Sequence, residues 1–206
     1  MTPSRARILV LAAVVGLGGA ALILAGAGHR AQAVELPTVA HDMAAAFAVP
    51  PTPDAQLPEV VRQAQDVVPK PGAPLPNQTR RIAHGLGKNG ADMYVFPTTQ
   101  GKVCEVITES TWMASCVPSF RLVKGEVATD TYYGDTAPQT VTGLVSNRVA
   151  AISVRVGDRL EPVTVERNTF FWQAPTSDLT RGEITGLVVR WHDDRTFDVN
   201  LDFGDP

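Results

Sequence analysis

Thr196-Phe197-Asp198-Val199-Asn200-Leu201-Asp202-Phe203 alternates apolar and polar residues without a break. Successive strand side chains point to opposite faces, so period two puts Phe197, Val199, Leu201 and Phe203 in a core and Asp198, Asn200 and Asp202 in water. Upstream, Leu187, Val189 and Trp191 share one face, and His192-Asp193-Asp194-Arg195 forms the polar turn of a hairpin. A third run, Ala150, Ile152, Val154 and Val156, alternates with Ser153 and Arg155. It ends at Gly157-Asp158, a two-residue turn with glycine first, and Val163 and Val165 continue on the return strand.

The same signature extends back to Tyr94. All aromatic residues but Phe47 lie between Tyr94 and Phe203, in short runs rich in Val, Ile and Thr broken by Gly, Asn and Asp. These runs predict strands near 92–97, 102–108, 111–117, 126–132, 139–145, 149–156, 160–167, 184–191 and 196–203, with a short one around 169–173. Hairpin-length connections predict a mainly β fold, an antiparallel sandwich or partly open barrel.

Cys104 and Cys116 flank one such hairpin, with its tip at Glu109-Ser110-Thr111. Pairing 108 with 112, 106 with 114 and 104 with 116 keeps the register constant and sets the two cysteines opposite each other, in disulfide range. Val106, Trp112 and Ala114 then share the cysteine face, which is read as the core face.

Toward the N-terminus, Arg5 and Arg7 precede an uncharged stretch from Ile8 to Gly28. About 20 apolar residues in a helix span a bilayer core of about 30 Å. Residues 1–33 are therefore read as a membrane segment with the arginines cytoplasmic. Ala31-Gln32-Ala33 has the small-x-small form of a signal cleavage site, so the alternatives are a retained single-pass anchor spanning 8–28 and secretion after cleavage near Ala33. Either way the rest of the chain is extracytoplasmic, where a disulfide persists. Residues 34–76 hold nine of the 16 prolines and read as a Pro/Ala-rich linker. One short helix opens at Leu57-Pro58-Glu59 and carries Val60, Val61, Ala64, Val67 and Val68 at helical spacing; it is expected to dock on the domain that follows. Residues 77–206 are the extracytoplasmic β domain.

The 206 residues carry 18 bases and 21 acids, a net charge of −3. That balance offers no basic field for nucleic acid. Gly85-Leu86-Gly87-Lys88-Asn89-Gly90 matches the dinucleotide fingerprint in letters only: a proline-rich segment precedes it and a strand follows, where the fingerprint needs a strand and then a helix. It is read as a flexible loop leading into the domain, and no cofactor is expected. The four histidines share no short metal-ligand spacing, and Asp193, Asp194, Asp198, Asp202 and Asp205 lack the glycine and glutamate of an EF-hand, so no metal site is expected. Phe170-Phe171-Trp172 is read first as core packing, with an exposed interaction surface for a carbohydrate or protein partner as the alternative.

Two resemblances add to this reading. His84-Gly85 with Ser115-Cys116-Val117 resembles the L,D-transpeptidase signature, in which a histidine activates a cysteine nucleophile. That family usually has glycine before the cysteine and arginine shortly after, where this chain has Ser115 and Pro118. The second resemblance covers most of the chain from Phe47 to Leu201. Ser115-Cys116-Val117-Pro118-Ser119-Phe120, Gly143-Leu144-Val145 with Val149 and Val154, and Asn168 with Phe170-Phe171 are similar to a recurring uncharacterised exported module of actinobacteria. It implies an extracytoplasmic, mostly β domain behind a membrane segment, with no activity to transfer. Where the module tends to carry Pro-Asp-Gly, this chain has Ser146-Asn147-Arg148, which predicts a wider turn.

The expected function is therefore a membrane-anchored, non-enzymatic binding domain at the cell envelope, its partner an envelope protein or glycan. The enzyme alternative is a cell-wall cysteine enzyme using Cys116 and His84.

Overall fold

The computed structural model describes residues 42–67, 72–108, 112–118, 127–132, 139–175 and 183–201. The Ile8–Gly28 stretch, the hairpin tip at 109–111, the side chain of Trp112 and residues 202–206 lie outside this set. Among the described residues no helix is long and apolar enough to cross a membrane.

The protein is mainly β. Among the described residues, two short α-helices, α1 (Ala44–Ala48) and α2 (Glu59–Val67), precede three four-stranded antiparallel sheets, none of them a closed barrel. The first is a meander of β1 (Arg80–Leu86), β2 (Ala91–Pro97), β3 (Lys102–Thr108) and β4 (Trp112–Pro118). The second contains β5 (Ala128–Tyr132), β6 (Thr140–Leu144), β9 (Val165–Glu166) and β10 (Thr169–Gln173), in the order β5-β6-β10-β9. The third contains β7 (Val149–Val156), β8 (Arg159–Val163), β11 (Ile184–Trp191) and β12 (Thr196–Asn200), in the order β12-β11-β7-β8.

The chain thus visits the second sheet, then the third, then each again. The run read as one strand over 160–167 breaks at Thr164, where it passes from β8 in the third sheet to β9 in the second. Both sheets line one apolar cluster: Val141, Phe170 and Trp172 from the second, Ile152, Val154, Leu187 and Val189 from the third, and Val145 just after β6. Burial follows the sequence alternation closely. Leu187 and Val189 are buried, Phe197 and Val199 are half-buried, and Asp198 and Asn200 are exposed. Gly157, at φ 56°, opens the two-residue turn that joins Val156 to Arg159.

In the first sheet both faces are covered. Tyr94, Phe96, Cys104 and Val106 meet Leu57, Val61 and Ala64 of the α2 segment, while Val95, Val103 and Val117 meet Met43 and Ala46 of the α1 segment. The α2 helix therefore docks as its spacing predicts, with Val61 and Ala64 inward and Val67 exposed. The α1 segment is a finding of the structure. Within the proline-rich region read as a linker, Met43 and Ala46 are fully buried side chains. Their partners lie 36 or more residues downstream, beyond the reach of local periodicity.

β1 is a second departure. The Gly85–Gly90 run is not a loop leading into the domain but the turn of the β1–β2 hairpin, with Gly85, Gly87 and Gly90 at positive φ. A strand precedes it and a strand follows, so no helix N-terminus faces it. β1 hides from a hydropathy reading because one of its buried residues is a cation. Arg80 is 4% exposed; its Nε donates to the Val49 carbonyl at 3.0 Å, its other nitrogens donate to Gln78, and its guanidinium lies 4.8 Å from the Phe47 ring centroid. Burial lowers the pKa of this guanidinium below its ordinary value.

The three bodies of structure around α1 meet at Asn168. Arg167 and Asn168 form the two-residue turn between Glu166 and Thr169, at φ 50° and 62°, the left-handed region that asparagine tolerates better than most residues. The Asn168 side chain is buried. Its Oδ1 accepts the Ala46 N–H at 3.1 Å and its Nδ2 donates to Asn147 Oδ1 at 2.9 Å. Its backbone carbonyl accepts the Val145 N–H at 2.9 Å, and the Asn147 N–H reaches the Asp42 carbonyl at 2.6 Å.

Candidate functional site

The cysteine hairpin has the register that the sequence predicts: Thr108 opposite Trp112, Val106 opposite Ala114, Cys104 opposite Cys116. Cys104 and Cys116 form a disulfide with their Cα atoms 4.0 Å apart. Cys104 is fully buried and Cys116 half-buried, beneath the α2 segment. In this bond the Cys116 sulfur is joined to Cys104. His84, its partner in the enzyme alternative, lies on β1, and Cys116 lies on β4. β1 and β4 are opposite edges of the first sheet, with β2 and β3 between them. Three strand spacings of about 4.8 Å separate the two edges. The His84 Nδ1 instead meets Asp92 Oδ1, which also accepts the Gly85 N–H at 3.3 Å, and Arg81 lies 3.6 Å from the other Asp92 oxygen. Burial, and after it the Asp92 charge, raises the pKa of the neighbouring Tyr94 phenol above its ordinary value. These contacts tie the base of a hairpin together.

The aromatic trio does not form an exposed surface. Phe170 is 1% exposed and Trp172 is 7% exposed, both in the cluster shared by the second and third sheets. The Trp172 Nε1–H donates to Glu161 Oε2 at 3.1 Å. Phe171, half-buried, points to the other face and packs by Met93 and Ile107. Consecutive strand residues alternate, so the trio is split between two covered faces. The aspartates are also engaged: Asp193 pairs with Arg195, Asp194 with Arg190, and Asp198 with Arg155.

A different group of residues collects at one end of the third sheet. β7 and β11 are its two central strands, and their pairing sets Val149 opposite Trp191. This lays the turn before β7, Ser146–Arg148, beside the turn after β11, His192–Arg195. The His192 N–H donates to the Arg148 carbonyl at 2.9 Å, and the Trp191 N–H donates to the Arg195 carbonyl at 2.9 Å. The first turn closes through Val149 N–H to the Ser146 carbonyl at 3.2 Å, and neither Asn147 nor Arg148 takes a positive φ. Between the turns lies an open basin of about 390 Å³, lined by Asn147, Arg148, Trp191, His192, Asp193 and Arg195. That volume is in the range of small-ligand sites, about 300–1,000 Å³.

Trp191 anchors the basin to the core. Its ring meets Phe197 edge-on, with centroids 5.4 Å apart, and the Arg195 guanidinium lies 4.3 Å from the ring centroid. Arg195 is held there by Asp193, whose Oδ2 accepts from Nε at 2.9 Å and lies 2.7 Å from Nη2. This hydrogen bonding lowers the Asp193 pKa and raises that of Arg195. Both groups therefore stay charged across the physiological range. Arg148 has no such partner: among the described residues its guanidinium makes no hydrogen bond or ion pair. The basin thus sets two guanidinium groups against one carboxylate, on a chain whose net charge is negative.

Comparison with protein-family models, with curated proteins and with solved structures gives no match. The functional reading therefore rests on the chain's own sequence and geometry. The sequence placed His192–Arg195 in a turn but gave no reason to join it to Asn147 and Arg148, more than 40 residues earlier. A tryptophan closing a strand just before a charged turn was the one local signal.

Proposed function

We propose that this chain is a membrane-anchored extracytoplasmic recognition domain of the cell envelope, which binds its partner without transforming it. The observation that carries this reading is the disulfide between Cys104 and Cys116, the two cysteines of the chain. Such bonds persist in oxidising compartments and are rare in the cytosol. The uncharged Ile8–Gly28 stretch behind Arg5 and Arg7 supports an anchor with its N-terminus inside. The apolar cluster shared by the second and third sheets supports a sandwich arrangement of those two. The basin between the two turns is the surface on which the partner is read, in place of the aromatic trio.

Export is tested by C-terminal reporter fusions to the full chain in a bacterial host. An alkaline phosphatase fusion is expected to be active and a cytosol-restricted fluorescent fusion dark. The reverse pattern would exclude the extracytoplasmic placement.

A further inference from the structure

We infer that the basin binds an anionic saccharide, a sugar bearing a carboxylate or phosphate group, with Arg148 as the main anion contact. The inference rests on the reading of the chain as a recognition domain and deepens it. Arg148 is exposed, and its guanidinium is uncommitted among the described residues. A guanidinium is a planar fork of N–H donors that matches carboxylate and phosphate oxygens in pairs. Arg195 supplies a second cation already fixed in place. Its Nε and Nη2 face Asp193, and its Nη1 is the nitrogen that no ion pair takes. Stacking on Trp191 holds this guanidinium in one orientation, so little conformational entropy is lost on binding.

Two features favour a saccharide over an acidic peptide. Peptides commonly add to a sheet through an unpaired strand edge. The basin sits at the ends of β7 and β11, and each of these strands is paired on both sides. Of the remaining lining groups, His192 is exposed, and its imidazole offers ring nitrogens suited to hydrogen bonds with hydroxyls.

The test uses the full chain in detergent, titrated calorimetrically with trigalacturonate, with its methyl ester as the uncharged counterpart, with glucose 6-phosphate, and with a tetraglutamate peptide. Trigalacturonate or glucose 6-phosphate is expected to bind with a Kd of about 1 mM or better, and which of the two is tighter names the anion. The methyl ester and the peptide are expected to bind at least tenfold more weakly. Arg148→Ala is expected to weaken the anionic sugar at least tenfold, while Arg155→Gln, outside the basin, leaves it unchanged. Equal melting temperatures of the two variants exclude misfolding as the cause. Binding that is indifferent to Arg148→Ala, or equally strong for ester or peptide, would overturn the inference. Cosedimentation of the chain with isolated envelope material, in the absence of any sugar binding, would overturn the inference and leave the recognition reading standing. Failure of both would remove the two together.

Discussion

Replacing Asn168 with alanine is expected to lower the stability of the protein by about 3 kcal/mol, measured by urea unfolding. Two contributions add. The first is the loss of both side-chain hydrogen bonds. The Ala46 N–H, in the first turn of α1, has Asn168 Oδ1 as its acceptor at 3.1 Å in a buried setting. A buried donor left without a partner costs about 1–3 kcal/mol. The second is conformational. At φ 62° a side chain with Cβ is disfavoured, by about 1–2 kcal/mol for ordinary residues and less for asparagine. Glycine separates the two, because Asn168→Gly restores the backbone freedom and not the hydrogen bonds. It is expected to fall between wild type and alanine. A loss below about 1 kcal/mol for Asn168→Ala would show that this turn does not hold α1 to the second sheet.

Removing the disulfide is expected to have an effect of similar size. Cys104 and Cys116 are 12 residues apart in sequence, and constraining a loop of that length stabilises by about 3 kcal/mol in the chain-entropy model. The bond lies under Leu57, Val61 and Ala64, so loosening it also disturbs the seat of α2. The Cys104→Ala, Cys116→Ala double variant should unfold at lower urea than oxidised wild type. Reductant should destabilise wild type and leave the double variant unmoved. Equal urea midpoints for oxidised and reduced wild type would contradict a structural role for the bond. The same pair of cysteines separates staple from nucleophile. A staple predicts equal loss from either single alanine variant, whereas a nucleophile would make Cys116 alone critical.

The β fold was legible wherever burial and hydropathy coincide. The runs around Cys104–Cys116, Val149–Val156 and Ile184–Trp191 became strands within a residue or so of their expected bounds. Period two reports which face meets the core, and here that face is aliphatic. β1 was illegible because Arg80 occupies a buried position and is satisfied by carbonyls of Val49 and Gln78. The α1 segment reads as part of a proline-rich linker because Met43 and Ala46 show no period of their own; their burial is decided by Ile82, Val95 and Leu144, far along the chain. The Phe170–Trp172 run shows why core packing is the better of its two readings. Three adjacent aromatics suggest a surface, yet alternation sends them to two faces, and both faces are covered.

The site was the least legible part. Neither turn around the basin is unusual by itself. Arg148 and Arg195 become neighbours through the antiparallel register of β7 with β11, a pairing between segments some 40 residues apart. Sequence spacing records local geometry, and this geometry is not local. The Asp193–Arg195 pair then fixes one cation on Trp191 and leaves the other at the rim.

The extracytoplasmic placement and the disulfide can be read together in one labelling experiment on intact cells producing the full chain. A membrane-impermeant polyethylene-glycol maleimide is added with and without prior treatment by an impermeant reductant, and adducts are counted by gel shift. The chain carries two cysteines. No adduct is expected without reductant, and two adducts are expected after reduction and mild denaturation of the intact-cell surface. Adducts formed without reductant, or adducts that form only after the cells are lysed, would contradict the bond or the placement.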